Sequence, residues 1–205
     1  MKTAIIVDFQ NDFTMIDGAL YVNGSIPAMW NVVKLLESGE IDQVVFTVDW
    51  HSPNHCSFKE NGGEWPRHCV QFSDGAAIQE LLLNTCLKQD ISYKVLTKGI
   101  IEEEYGAFED IDYDYIDEVI RYTDGDGWEG EFSFNNETDY IIICGVAGDY
   151  CVKETIMNLE CLENNLVIFE DGIASIDGGT ALTELIENYN LATCSFKDDK
   201  LFFKK

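Results

Sequence analysis

Short apolar runs alternate along the chain with stretches whose apolar residues recur three and four positions apart. The runs at residues 3–8, 43–49, 92–98, 140–145, 166–171 and 191–196 draw mainly on Ile, Val, Leu and Phe, the composition of strands buried on both faces. Residues 27–39, 77–88, 111–122, 150–165 and 180–190 carry the helical spacing and predict amphipathic helices. Strand and helix taken in turn imply right-handed crossovers between parallel strands. The expected fold is a three-layer α/β/α domain over residues 1–205, built on a mostly parallel six-stranded sheet.

Two segments break this rhythm. Residues 50–75 hold Trp50, His51, Pro53, Gly62, Gly63, Pro66 and Gly75 with no sustained period, so a long loop is expected after the second strand, and loops of that length in a compact domain usually carry function. Residues 122–139 are rich in Gly and Asp and read as a hairpin or a lid, with no role assigned.

Hydrophobic residues at 46% and aromatics at 12% supply enough apolar surface for a core and argue against intrinsic disorder despite the charge. Charge narrows the choice of partner: 13 Lys+Arg against 38 Asp+Glu give a net charge of −25, which repels nucleic acid and anionic membrane surfaces. A small neutral or cationic ligand suits such a surface better. No run approaches the roughly 18 apolar residues of a membrane-spanning helix, and the N-terminal TAIIVDFQND shows no signal-cleavage pattern, so a cytoplasmic location is expected. The seven cysteines, at 56, 69, 86, 144, 151, 161 and 194, include no close CxxC pair and fit neither a disulfide framework nor a four-thiolate zinc site.

In open α/β sheets ligands bind outside the carboxyl ends of the strands. Asp8 ends the first run, Asp49 the second and Lys98 the third, while the turn 145–150 leads from the fourth into Cys151. A thiol at the start of a helix is acidified by unpaired backbone N–H groups, which can also hold an oxyanion. A carboxylate such as Asp8 could take its proton, and an ammonium such as Lys98 could stabilise the anion. Each residue also has a structural alternative: a packed core thiol, a turn-forming Asp, a solvated Lys.

All three histidines, His51, His55 and His68, fall within the long loop beside Asp49. On an extended segment residues i and i+2 point the same way, so Asp49 and His51 can share one ion, with His68 returning through the loop. Two imidazoles and a carboxylate suit Zn2+, with Fe2+ and Mn2+ as alternatives; a chance cluster of surface histidines is the competing account.

Together these motifs resemble the nicotinamidase branch of the isochorismatase-like cysteine hydrolases. The likeness rests on Asp8-Phe9-Gln10-Asn11-Asp12-Phe13 with Gly18-Ala19-Leu20-Tyr21-Val22, on Asp49-Trp50-His51-Ser52-Pro53-Asn54-His55-Cys56-Ser57-Phe58 and Trp65-Pro66-Arg67-His68-Cys69-Val70-Gln71, on Lys98-Gly99, on Tyr105-Gly106-Ala107-Phe108, and on Gly145-Val146-Ala147-Gly148-Asp149-Tyr150-Cys151-Val152. The resemblance implies hydrolysis of nicotinamide to nicotinate and ammonia through a thioester, as a step in NAD salvage. It implies Cys151 as nucleophile, Asp8 as general base and later acid, Lys98 as charge partner, a cis peptide at Val146-Ala147, and Ala147 and Cys151 N–H groups as oxyanion donors. Asp49, His51 and His68 would bind one divalent metal that contacts the pyridine nitrogen, while Phe13 and Trp65 sandwich the ring and Tyr105 joins the substrate-binding set.

Some positions depart from the family pattern. Gly148 stands where Thr is common, the loop at Gly62-Gly63-Glu64 is atypical, and Glu64 either approaches the metal or caps the loop. Residues 109–139 form a long acidic insertion that bears on the pocket mouth or on an oligomer interface, and the question of a homo-oligomer stays open. Two rival readings remain: a hydrolase of the same fold acting on another amide, a carbamoyl group or a vinyl ether, and a non-catalytic zinc-bearing binding protein.

Overall fold

The structure, a computed structural model, describes residues 1–101, 103, 105–108, 110–114, 116–117, 119–123, 127, 129–135, 137 and 139–204. In chain order the elements are β1 (Lys2–Val7), α1 (Asn11–Thr14), α2 (Ser25–Glu37), β2 (Gln43–Asp49), α3 (Glu80–Lys88), β3 (Ser92–Lys98), β4 (Asp110–Asp114), β5 (Val119–Thr123), β6 (Glu129–Ser133), β7 (Tyr140–Val146), α4 (Cys151–Asn158), β8 (Leu166–Ala174), α5 (Thr180–Tyr189), β9 (Ala192–Lys197) and β10 (Lys200–Lys204). The main sheet runs β10-β9-β8-β7-β1-β2-β3, parallel throughout except for the edge pair β9/β10.

Because successive strand residues point to opposite faces, the continuous apolar runs feed two cores at once. Ala4, Ile6, Val44, Phe46, Ile142 and Cys144 pack with Val32, Leu35 and Leu36 of α2 and with Leu82 and Cys86 of α3. Ile5, Val7, Val45, Ile141 and Ile143 pack on the other side with Val152 and Ile156 of α4 and Leu182 and Leu185 of α5. The three expected layers are present, with one strand more than the six expected. β10 follows a tight turn in which Asp198 and Asp199 both adopt positive φ, the geometry of a two-residue hairpin.

Two expectations need correction. The stretch 111–122 is not a helix: Asp110–Asp114 and Val119–Thr123 pair antiparallel, and Glu129–Ser133 adds a third strand. The β-favouring Ile, Tyr and Val found there also satisfy a period of two, and burial decides between the periods. Ile120, Tyr122, Phe132 and Phe134 all enter the second core. This small sheet lies beside β2, since Gln43 Nε2 donates to the Ser133 carbonyl at 3.1 Å, and covers part of the second face. The hairpin foreseen within 122–139 corresponds to β5 and β6, although residues 124–126, 128, 136 and 138 lie outside those described. The second correction concerns residues 92–98, which are not buried on both faces. They form an edge strand exposed through most of its length, and only Lys98 at its carboxyl end is fully enclosed.

The strands β7, β1, β2 and β3 are neighbours, so their carboxyl ends form one continuous rim. β7 approaches β1 so closely at Gly145 that a Cβ there would fall 2.2 Å from the Val7 carbonyl oxygen, and the residue takes φ of 136°. Only glycine fits both demands.

Candidate active site

Asp8, Asp49 and Lys98 leave the rim of the sheet from adjacent strands, and Asp49 is the register partner of Lys98. Lys98 is fully buried, and its Nζ lies 2.9 Å from Asp8 Oδ2, in contact with Asp49 Oδ1, and 3.6 Å from Cys151 Sγ. A buried ammonium is tolerated only when paired, and here three anionic or ionisable groups surround it. Burial works against its charge, but Asp49, Asp8 and Cys151 outweigh burial and hold its pKa well above the usual lysine range. Lys98 is therefore a fixed cation.

The carboxylates divide in behaviour. For Asp8, burial foremost raises the pKa and the negative Asp49 adds to this, against the pull of Lys98. For Asp49, burial is outweighed by Lys98 and by the imidazoles of His51 and His68, and its carboxyl is held well below the ordinary range. Asp8 is thus the carboxylate poised to accept a proton. Its Oδ1 takes a hydrogen bond from Thr47 Oγ1 at 2.8 Å, while Oδ2 has the ion pair with Lys98 but no aligned hydrogen-bond donor among the described residues. Burial, opposed by Lys98 and reinforced by Asp8, also raises the Cys151 thiol well above its usual value. The thiol, the carboxylate and the ammonium form a closed set in which one proton can move between sulfur and Asp8.

Cys151 opens α4 directly after the turn that begins at the cis Val146-Ala147 peptide. Gly148, inside that turn, has a physical reason to lack a side chain: a Cβ would sit 2.1 Å from Ser175 Oγ and 2.9 Å from Ile173 Cγ2. Gly148→Thr should therefore destabilise the fold by roughly 1–3 kcal/mol through overpacking. In urea denaturation, adding Ser175→Ala should restore part of the loss.

The long loop folds back so that His51 and Val70 pair as a parallel bridge, with His51 N–H donating to Cys69 O at 3.0 Å and Gln71 N–H to His51 O at 2.9 Å. This brings His68 beside His51. Asp49, His51 and His68 present ligand atoms within 4.8 Å of one another, with the two Nε2 atoms 3.4 and 3.6 Å from Asp49 Oδ2. Each imidazole is oriented from behind, His51 Nδ1 on Gly99 O at 2.6 Å and His68 Nδ1 on Pro66 O at 2.7 Å. A carbonyl only accepts, so both Nδ1 atoms carry protons and both Nε2 lone pairs face Asp49, the arrangement a metal requires. The donor set fits a divalent metal. His55 stands outside this group, its Nδ1 2.7 Å from Ser57 Oγ and its ring stacked on His51 at 4.2 Å. Glu64 is exposed and also outside it.

A cleft joins the two groups, with Cys151 and Ala147 lining one part and Asp49, His51 and His68 another. Phe13, Trp65 and Tyr105 all line it, Phe13 lying 5.5 Å from the His68 ring. Sequence reasoning left out Glu103, Tyr150, Leu20, Val22 and Ile176 as lining residues. It also left out Gln10, whose amide bridges Asp49 N–H, Asp49 O and Ala76 O at 2.8 to 2.9 Å and so fixes the backbone of the shared carboxylate. Proximity in sequence to Asp8 and Cys151 was the only available signal for Gln10 and Tyr150. Of the described residues of the 109–139 insertion, Ile111, Tyr113, Ile120, Tyr122, Phe132 and Phe134 pack with the second core, and none lines the cleft.

No family model matches the chain. It is 28% identical over 186 residues to the nicotinamidase of Saccharomyces cerevisiae, spanning 77% of this chain and 81% of that protein. Among solved structures, PnC1 from L. infantum in complex with nicotinate shares 28% identity at a TM-score of 0.71, covering 94% of this chain and 91% of that one. The pyrazinamidase of Pyrococcus horikoshii in complex with zinc shares 28% identity at a TM-score of 0.65, covering 95% and 99%. Over most of both lengths the chain is thus similar in sequence and in fold to known nicotinamidases.

Proposed function

We propose that the protein hydrolyses nicotinamide to nicotinate and ammonia, a step in NAD salvage, and that Asp8, Lys98 and Cys151 perform the chemistry. The observation that carries this reading is a cleft lined both by Cys151, which the buried Lys98 and Asp8 back from beneath, and by the Asp49-His51-His68 group. Asp8 Oδ2 accepts the thiol proton as sulfur attacks the amide carbon, and Lys98 stabilises the thiolate and the Asp8 anion in turn. Backbone N–H groups of Ala147 and Cys151 hold the tetrahedral oxyanion. Asp8 then returns the proton to the departing nitrogen, so that ammonia leaves and a thioester remains. Asp8 next takes one proton from water as its oxygen attacks the thioester carbon; the C–S bond breaks, Asp8 returns that proton to sulfur, and the carboxylic acid formed loses its remaining proton to solvent and departs as nicotinate.

Phe13, Trp65 and Tyr105 would hold the ring. Asp49, His51 and His68 would hold one divalent ion, Zn2+ ahead of Fe2+ and Mn2+, and that ion would supply a Lewis acid for the pyridine nitrogen, orienting the amide toward sulfur. The zinc bound by the related pyrazinamidase supports this choice. We take residues 1–205 as one hydrolase domain, with 49–75 as its metal loop and 109–139 as an insertion. The substrate is a small molecule and the expected location cytoplasmic; among the described residues no helix is long and apolar enough to cross a membrane.

Ammonia release from nicotinamide, benzamide and a panel of carbamoyl compounds tests the reading. Rapid release from nicotinamide with little from benzamide, which lacks the ring nitrogen, is expected. Preference for a carbamoyl compound would assign the protein to another activity of the same fold, and no release from any would leave a binding protein.

A further inference from the structure

The proposed reaction converts a neutral amide into a carboxylate, and the cleft carries a negative charge that the chemistry does not use. Glu103 lines the cleft, and its Oε1 accepts a hydrogen bond from the Tyr105 hydroxyl at 2.7 Å. That hydroxyl accepts one from Trp65 Nε1 at 3.0 Å. Burial foremost, with Glu103 adding to it, raises the Tyr105 phenol above its ordinary value, so Tyr105 stays the donor. Two hydrogen bonds in series thus tie the carboxylate of an otherwise exposed residue to two aromatic walls of the cleft. Among the described residues no Lys or Arg lines the cleft, and the cation beneath it, Lys98, is already matched by Asp8 and Asp49.

We propose that Glu103 is a specificity-determining residue of the cleft: held by Tyr105, its carboxylate favours neutral ring amides over ring carboxylates and speeds departure of the anionic product. The inference rests on the nicotinamide reading, and extends it to a residue outside the reacting set. A fixed charge several ångströms from a ligand, partly screened by water, changes the affinity of an anion about three- to tenfold and that of a neutral isostere much less.

Calorimetric binding of nicotinamide and nicotinate to the full chain carrying Cys151→Ala, supplied with Zn2+, reads this directly because neither ligand turns over. Glu103→Gln in that background keeps a carbonyl for Tyr105 and removes only the charge. The ratio of nicotinate Kd to nicotinamide Kd should fall about three- to tenfold at low salt, and the difference between the two proteins should close in about 1 M NaCl. A bound ion acts alike in both proteins and cancels from the comparison. A purely structural role for Glu103 would shift both ligands together, so an unmoved ratio overturns the inference. The two possible failures are distinct. Ammonia release by the wild type with an unmoved ratio removes this inference alone, whereas no release and no binding of either ligand removes both.

Discussion

Cys151→Ala is expected to lower nicotinamide turnover by on the order of 10⁴- to 10⁶-fold, the loss seen when a covalent nucleophile is deleted. The fold should survive, because the change removes one sulfur from a residue that α4 and the second core support from behind, a cost of about 1–2 kcal/mol at most. Cys151→Ser should be nearly as inactive, because Asp8 would have to deprotonate an alcohol, which is far less acidic than a thiol. Asp8→Asn should fall to a similar level across the whole pH range, since an amide accepts no proton from the thiol. Residues that act as one unit lose activity together rather than additively. The double variant should therefore sit within about tenfold of either single one, as measured by ammonia release alongside melting temperature. A Cys151→Ala protein within tenfold of wild type would remove the thioester, and wild-type turnover by Asp8→Asn with a lowered melting temperature would make Asp8 structural.

The groups at the rim were legible because a parallel sheet buries its strands on both faces and so writes them as apolar runs. Once β1, β2 and β7 are read in that way, with β3 beside β2 as an exposed edge strand, Asp8, Asp49, Lys98 and Cys151 stand at or just past the carboxyl ends of these strands, where the topology brings them together. Elements governed by other physics were not so legible. Residues 111–122 satisfy helical and strand periods alike, and only the tertiary demand to cover β2 selects the strand. Strand β10 is short, flanked by lysines and half-exposed at Phe202 and Phe203; its one local signal is the Asp198-Asp199 pair at the hairpin turn. Glu103 and Tyr150 reach the cleft from irregular segments, where no period exists to aim a side chain. Gln10 acts through its amide on the backbone of a strand 39 residues away in sequence, a partnership that pattern along the chain does not encode.

One divalent ion per chain is expected, and its loss should separate the three histidines. His51→Ala and His68→Ala each remove an Nε2 donor that a backbone carbonyl aims at Asp49 Oδ2; with two ligands remaining, binding should weaken by at least about a hundredfold. Both variants should be purified without stoichiometric metal and show a sharply raised KM for nicotinamide, because the ring loses its orienting contact while Cys151 and Asp8 remain in place. His55→Ala should behave differently. Its ring stacks on His51 and bonds to Ser57 without joining the ligand group, so the ion should be retained with affinity lowered by about tenfold, the scale of an outer supporting residue. Asp49→Asn should do most damage: it weakens the ligand set and strips Lys98 of one of its two carboxylates, and breaking a buried ion pair costs about 3–5 kcal/mol. Elemental analysis and chelator competition on the four variants, with KM measured on the same preparations, decide the matter. Full occupancy in both His51→Ala and His68→Ala would refute this ligand set, and loss of metal in His55→Ala alone would move the site toward Ser57.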